Sequence, residues 1–128
     1  MDGDYPVFDN PLDAYLGELK NVAPLDREEE MDCIQHVRAG DEQAKEAGER
    51  LVEANLQLVV TIAERYPRDK MHMLDLIQEG NRGLLAAVQT LRESSADNFS
   101  IHATFLIERA ISDALATTPV KIIPRHLM

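Results

Sequence analysis

Tryptophan is absent from this 128-residue chain, and Phe and Tyr supply only three residues each. A core with so few rings has to be filled by aliphatic side chains. Hydrophobic residues make up 45% of the chain, enough for one moderate core at this length. Cysteine is nearly missing too: Cys33 alone cannot close an internal disulfide, which fits a reducing compartment and a cytoplasmic location. No apolar run approaches the roughly 18 residues of a membrane span, and the opening "MDGDYPVFDN" is acidic, so neither a span nor a signal peptide is expected.

Positive charge is scarce. Lys and Arg number 13 against 23 Asp and Glu, a net charge of −10. The deficit is uneven: residues 1–34 carry 10 acids and 2 bases, residues 35–90 carry 9 and 7, and residues 91–128 carry 4 and 4. A free-standing DNA binder shows a basic footprint, and this chain has none. His36, His72, His102 and His126 are scattered, with no pair at ligand spacing beside a Cys or carboxylate, so no metal is expected. There is no nucleophile–base motif, no Gly-rich phosphate loop and no internal repeat. Neither an enzyme nor a cofactor is expected.

What is present is helix after helix. "NPLDAYLGEL" sets Leu12, Tyr15, Leu16 and Leu19 on one stripe behind Asn10 as N-cap and Pro11 at the first helical position. "LDREEE" offers Asp26 as the next cap with Glu29 three residues on, a capping-box pattern. That helix turns Met31, Ile34 and Val37 inward and stops at Gly40. Asp41 is the expected cap of "EQAKEAGERLVEAN", whose Ala44, Ala47, Leu51 and Val52 face the core. "LQLVVTIAERY" follows almost directly and ends at Pro67. A helix from about Met71 to Leu91 comes next, then the "RESSADN" loop, and a last helix from about Ser100 to Ala116. On this last helix Phe99, Ala103, Leu106, Ala110 and Ala114 form the expected core stripe, and His102 and Phe105 lie off it. Met71 and Met73 are expected as core gap-fillers. Nothing alternates at strand period. The fold class is all-α, a compact multi-helix domain of about six helices, with residues 117–128 as a tail or the start of a linker.

Within "LDLIQEGNRGLL", Asp75, Gln78, Glu79 and Arg82 fall in about one third of the helical circumference, and Leu76, Ile77, Leu84 and Val88 fall opposite. Asn81 projects about 60° off that stripe. On spacing alone this is a solvated face or a docking surface; carboxylates and an amide can meet arginines through charge-assisted hydrogen bonds.

The order of segments, above all "LVEANLQLVVTIAERY…LDLIQEGNRGLLAAV…NFSIHATFLIERAI", resembles bacterial sigma factors of the sigma-70 family over about residues 9–116. Residues 9–40 resemble region 1.2 and residues 41–116 resemble region 2, together one domain. The resemblance implies a non-enzymatic domain that docks on the clamp helices of the β′ subunit of core RNA polymerase and recognises or helps melt the promoter −10 element. It implies Asp75, Gln78, Glu79 and Asn81 as the core-polymerase contacts. It also implies that the last helix takes flipped bases of the non-template strand on aromatic rings. The positions that fall there are Phe99, His102 and Phe105, and Arg109 and Ser112 stand where the family reads the upstream base pair.

The last helix departs from the family pattern. His102 stands for a tyrosine, Phe105 and Leu106 for a tryptophan pair, and Asp97 for an aromatic. Glu108 and Asp113 occupy basic positions, and Asp13 and Gly17 replace frequent arginines in the first helix. A base–aromatic stack contributes about 1–3 kcal/mol, so these changes weaken the DNA face while the polymerase face is whole. The alternative expectations are a sigma-like polymerase-binding regulator with reduced promoter recognition, or a partner of an anti-sigma factor.

Overall fold

The computed structural model describes residues 10–118. They form six α-helices: α1 (Pro11–Leu19), α2 (Arg27–Ala39), α3 (Ala44–Ala54), α4 (Leu56–Ala63), α5 (Met73–Gln89) and α6 (Phe99–Thr117), with a short 3-10 turn at Leu91–Glu93. No strand occurs among the described residues. The all-α expectation of about six helices holds. The expected tail falls mostly outside the described residues, and its first residue, Thr117, is the last of α6.

Local chemistry sets the helix ends. The Asn10 side chain accepts from the Asp13 N–H at 2.8 Å, and Pro11 stands where no donor is needed. Asp26 and Glu29 form the full capping box, with the Glu29 N–H donating to Asp26 at 2.7 Å and the Asp26 N–H donating to Glu29 at 3.1 Å. Gly40 closes α2 with φ 63°, left-handed backbone that glycine adopts without strain. The regular turns of α3 begin two residues later than expected, flanked by Gln43, whose side chain makes no cap bond. Asp41 still caps the turn before them, one carboxylate oxygen accepting from the Gln43 N–H at 2.9 Å and the other from His36 Nδ1 at 2.7 Å.

That His36–Asp41 clasp ties the end of α2 to the start of α3. The Asp41 hydrogen bond, more than the nearby Asp32, raises the pKa of His36, and the His36 hydrogen bond lowers that of Asp41. The His36 contribution is therefore full below the ordinary imidazole range and is lost as pH rises through its raised pKa. The Asp41 contribution is full above the ordinary carboxylate range and is lost as pH falls through its lowered pKa. The clasp is strongest between those limits. An NMR titration of the His36 ring should give a midpoint above that of a free histidine, and Asp41→Asn should return it toward the ordinary range.

The core is aliphatic around one ring. Ile34, Leu51, Val59, Ile62, Leu76, Ile77, Leu84, Leu91, Phe99, Ile107 and Ile111 are fully buried. Met71 and Met73 pack against this core, half-buried, as expected. Helices α5 and α6 share the closest packing, and glycines make it possible. A Cβ on Gly83 would stand 2.5 Å from the Leu106 carbonyl oxygen and 2.7 Å from Ile107 Cα. A Cβ on Gly80 would meet Val59 Cγ1 at 2.6 Å and both Ile107 and Ile111 at 3.3 Å.

This approach corrects the expected stripe on α6. The buried line is Phe99, Ala103, Ile107 and Ile111, and Leu106, Ala110 and Ala114 are half-buried at its flank. With the α6 backbone at Leu106–Ile107 lying on Gly83, Ile107 and Ile111 turn onto Gly80, so the helix is rotated from the expected setting.

The loop before α6 is held by a guanidinium. Arg38, at the end of α2, donates from Nε to the Leu91 carbonyl at 3.1 Å and from Nη2 to the Ser94 and Ala96 carbonyls, each at 2.7 Å. Arg92 answers with an Nε–H bond to the Arg38 carbonyl at 3.2 Å. Charged hydrogen bonds of this kind contribute about 1.5–3 kcal/mol when a partner is removed. Arg38→Ala should therefore destabilise the fold by about 2 kcal/mol in urea unfolding, and Arg38→Lys, which lacks the fork, should recover only part of it.

Candidate polymerase and nucleic-acid interfaces

Two surfaces carry the predicted site residues. The first is the outer face of α5. Leu76, Ile77, Gly80, Gly83, Leu84 and Ala87 are buried against the core, which leaves Asp75, Gln78 and Arg82 exposed on the opposite side. Glu79 is mostly covered, its side chain 22% exposed, and pairs with Arg82 at 3.6 Å. Asp75 lies in the first turn, where a carboxylate suits the helix dipole.

Asn81 stands apart from that group. It is half-buried, and its Oδ1 atom has neither solvent contact nor a hydrogen-bond partner among the described residues. Leu85, missed by sequence reasoning, continues the face: it is 50% exposed and follows Asp75, Gln78 and Arg82 at helical spacing. Its exposure was legible from that stripe, although its apolar character pointed inward.

The second surface is the outer side of α6. Phe105 is 65% exposed and Ile101, one turn before it, 70%. Arg109, Ser112 and Asp113 are also exposed. Two predicted base-stacking positions do not join them. Phe99 has no exposed surface and is the ring at the centre of the core, so its position at the helix start serves packing. His102 is half-buried, its Nε2 lying 3.1 Å from the Ala87 carbonyl and 3.1 Å from Thr90 Oγ1. A carbonyl only accepts, so Nε2 carries the proton that this bond requires. The ring is thereby tied to the C-terminal end of α5 and does not stand free as expected. Leu106 is half-buried.

Charge on this surface is paired internally. Arg65, just after α4, lies 3.9 Å from Glu108, and Arg109 lies 3.9 Å from Asp113. The Tyr66 hydroxyl reaches the Glu108 carbonyl and Ser112 Oγ, both at 3.4 Å. Elsewhere, Asp13 on α1 is exposed and accepts from the Asn10 amide at 3.1 Å. Cys33 is half-buried, and burial, followed by the Asp32 charge, raises its thiol pKa, which disfavours a reactive thiolate. No group of metal-binding side chains and no helix long and apolar enough to cross a membrane occurs among the described residues.

The arrangement is all-α, with an exposed polar face on one helix and an exposed ring on another. Its family is shown by comparison. The model of the family described as Sigma-70 region 2 matches residues 51–118, from α3 to the end of α6. The chain belongs to the sigma-70 region 2 family.

It is similar to the RNA polymerase sigma factor SigA of Clostridium acetobutylicum, 44% identical over 123 residues that cover 95% of this chain and 32% of the relative. The SigA of a Bacillus species is 42% identical over 122 residues, 94% of this chain and 32% of that protein. The SigA of Lactococcus lactis subsp. cremoris is 41% identical over 122 residues, 94% and 34% respectively. The chain thus spans about a third of the length of the curated relatives it matches.

Proposed function

We propose that this chain is a sigma-factor domain that carries core RNA polymerase to promoters and engages the −10 element during transcription initiation. Residues 9–40 and 41–116 work as one unit in that role, which is binding and not catalysis, in the cytoplasm where the polymerase works. Asp75, Gln78 and Glu79 dock on the β′ clamp helices, Asn81 contacts them from the flank, and Leu85 extends the contact. The observation that carries this proposal is the exposed polar face of α5, set within the stretch matched by the family.

On α6, Phe105 offers the ring for an unstacked base of the non-template strand, with Arg109 and Ser112 one and two turns further along. Phe99 and His102 support that helix from below. The whole-chain charge of −10 is tolerable because the polymerase channel supplies cations around the strand.

Size-exclusion chromatography of the chain with core polymerase tests the docking. The chain should co-elute with core and be displaced by a full-length sigma factor of the family. Elution of the chain alone would remove the proposal.

A second reading is favoured by Glu108 and Asp113: a sigma-like regulator that holds the clamp helices without reading promoters, or that is held by an anti-sigma factor. Co-elution with core but no oligonucleotide binding would select it.

A further inference from the structure

Glu108 and Asp113 do more than withhold two cations from the outer face of α6. Each stands beside one of the arginines at that surface, Glu108 3.9 Å from Arg65 and Asp113 3.9 Å from Arg109. Arg65, Arg109 and Asp113 are largely in solvent and Glu108 is about half exposed, 46% against 62–75% for the others. Tyr66 bridges the segment after α4 to α6 through the Glu108 carbonyl and Ser112, which keeps Arg65 within reach of Glu108. Glu108, Arg109 and Asp113 follow the exposed Phe105 on α6 by three, four and eight residues, so a backbone stacked on that ring and running toward the C-terminus of α6 would meet both pairs.

We infer that Glu108 and Asp113 are internal competitors for phosphate, holding Arg65 and Arg109 until a nucleic-acid backbone displaces them. Ion pairs this exposed and this long are weak, so they are displaceable, and they act by competition and not by locking the face. For the fraction of time that each pair is formed its arginine is already neutralised, so the strand gains less from it. The salt dependence of binding is accordingly shallower than the number of arginines on the face implies. This inference rests on α6 being the nucleic-acid face.

The test is fluorescence anisotropy of a labelled single-stranded −10 oligonucleotide with core polymerase and the chain, across a salt series. Glu108→Gln and Asp113→Asn should each tighten binding about two- to threefold at low salt. Each should also steepen the dependence of log affinity on log salt, by at most about 0.7, the limit for an arginine fully paired in the wild type. Glu46→Gln, on exposed α3 surface, makes the same change in net charge and should leave the slope alone; an equal change in slope there would overturn the inference.

If the wild type binds and Phe105→Ala weakens it, but Glu108→Gln and Asp113→Asn change neither affinity nor slope, the competitor role fails and the nucleic-acid face stands. If no form binds, the neutralised ones included, both fail together.

Discussion

Gly83→Ala is expected to destabilise the protein by about 2 kcal/mol, although alanine is the better helix former by roughly 1 kcal/mol. The added carbon would stand 2.5 Å from the Leu106 carbonyl oxygen and 2.7 Å from Ile107 Cα. Backbone cannot rotate out of the way as a side-chain tip can, so α6 must lift from α5. That lift loosens Ile107 and Ile111, both fully buried, and overpacking of this kind costs about 1–3 kcal/mol or more. Thermal unfolding should show the loss as roughly 7 °C for a chain of this size.

Gly48→Ala is the internal control. Its new carbon would meet only Val88 Cγ1, at 3.1 Å, with Val37 beyond at 3.8 Å. Val88 is half-buried and has room to shift, so the propensity gain should offset the contact and leave stability within about 0.5 kcal/mol. A loss at Gly48 as large as that at Gly83 would contradict the close-approach account.

The second large effect concerns binding and leaves folding nearly untouched. Asp75→Ala together with Gln78→Ala should weaken association with core polymerase about 100-fold, because docking groups truncated at an interface leave their partners desolvated and unpaired. Both residues are exposed, so the unfolding free energy should move by less than about 0.5 kcal/mol, the small dipole contribution of Asp75 included. Asp75→Ala alone should reduce the salt dependence of association, and Gln78→Ala alone should not, since only one of the two carries charge. Titration calorimetry or surface capture of core polymerase reads all of these. Unchanged affinity in the double variant would remove the α5 face as the docking surface.

These two predictions differ in how far the sequence revealed them. The exposed set of Asp75, Gln78 and Arg82 follows from 100° per residue and from the apolar residues opposite, and the helix sits where its periodicity put it. The same is true of Asp26, Glu29 and Gly40, whose roles depend only on neighbours within a turn. Gly83 is another matter. An isolated glycine in a helical pattern costs propensity and points to a packing or functional reason, but nothing in the sequence says that Leu106 is what packs against it. That contact sets the rotation of α6, and with it the buried line through Ile107 and Ile111 in place of one through Leu106 and Ala110.

The place of His102 is set in the same way: its partners are Ala87 on α5 and Thr90 at the C-cap of that helix. Phe99 shows a different limit. A ring at a helix start packs and stacks equally well in principle, and only the three-dimensional burial decides between them. The Arg38 fork and the Arg65–Glu108 pair join residues far apart in sequence. Charge composition made both acids of α6 look like plain losses of attraction, when each has a cation beside it.

Whether this domain brings polymerase to a particular single strand is tested most directly by anisotropy of labelled single-stranded oligonucleotides with core polymerase, with and without the chain. A −10 sequence and a scrambled one of the same composition are compared. The account predicts a rise that requires the chain, favours the −10 sequence, and falls with Phe105→Ala. A chain that co-elutes with core but produces no sequence-selective rise would contradict promoter recognition and leave polymerase capture as its role.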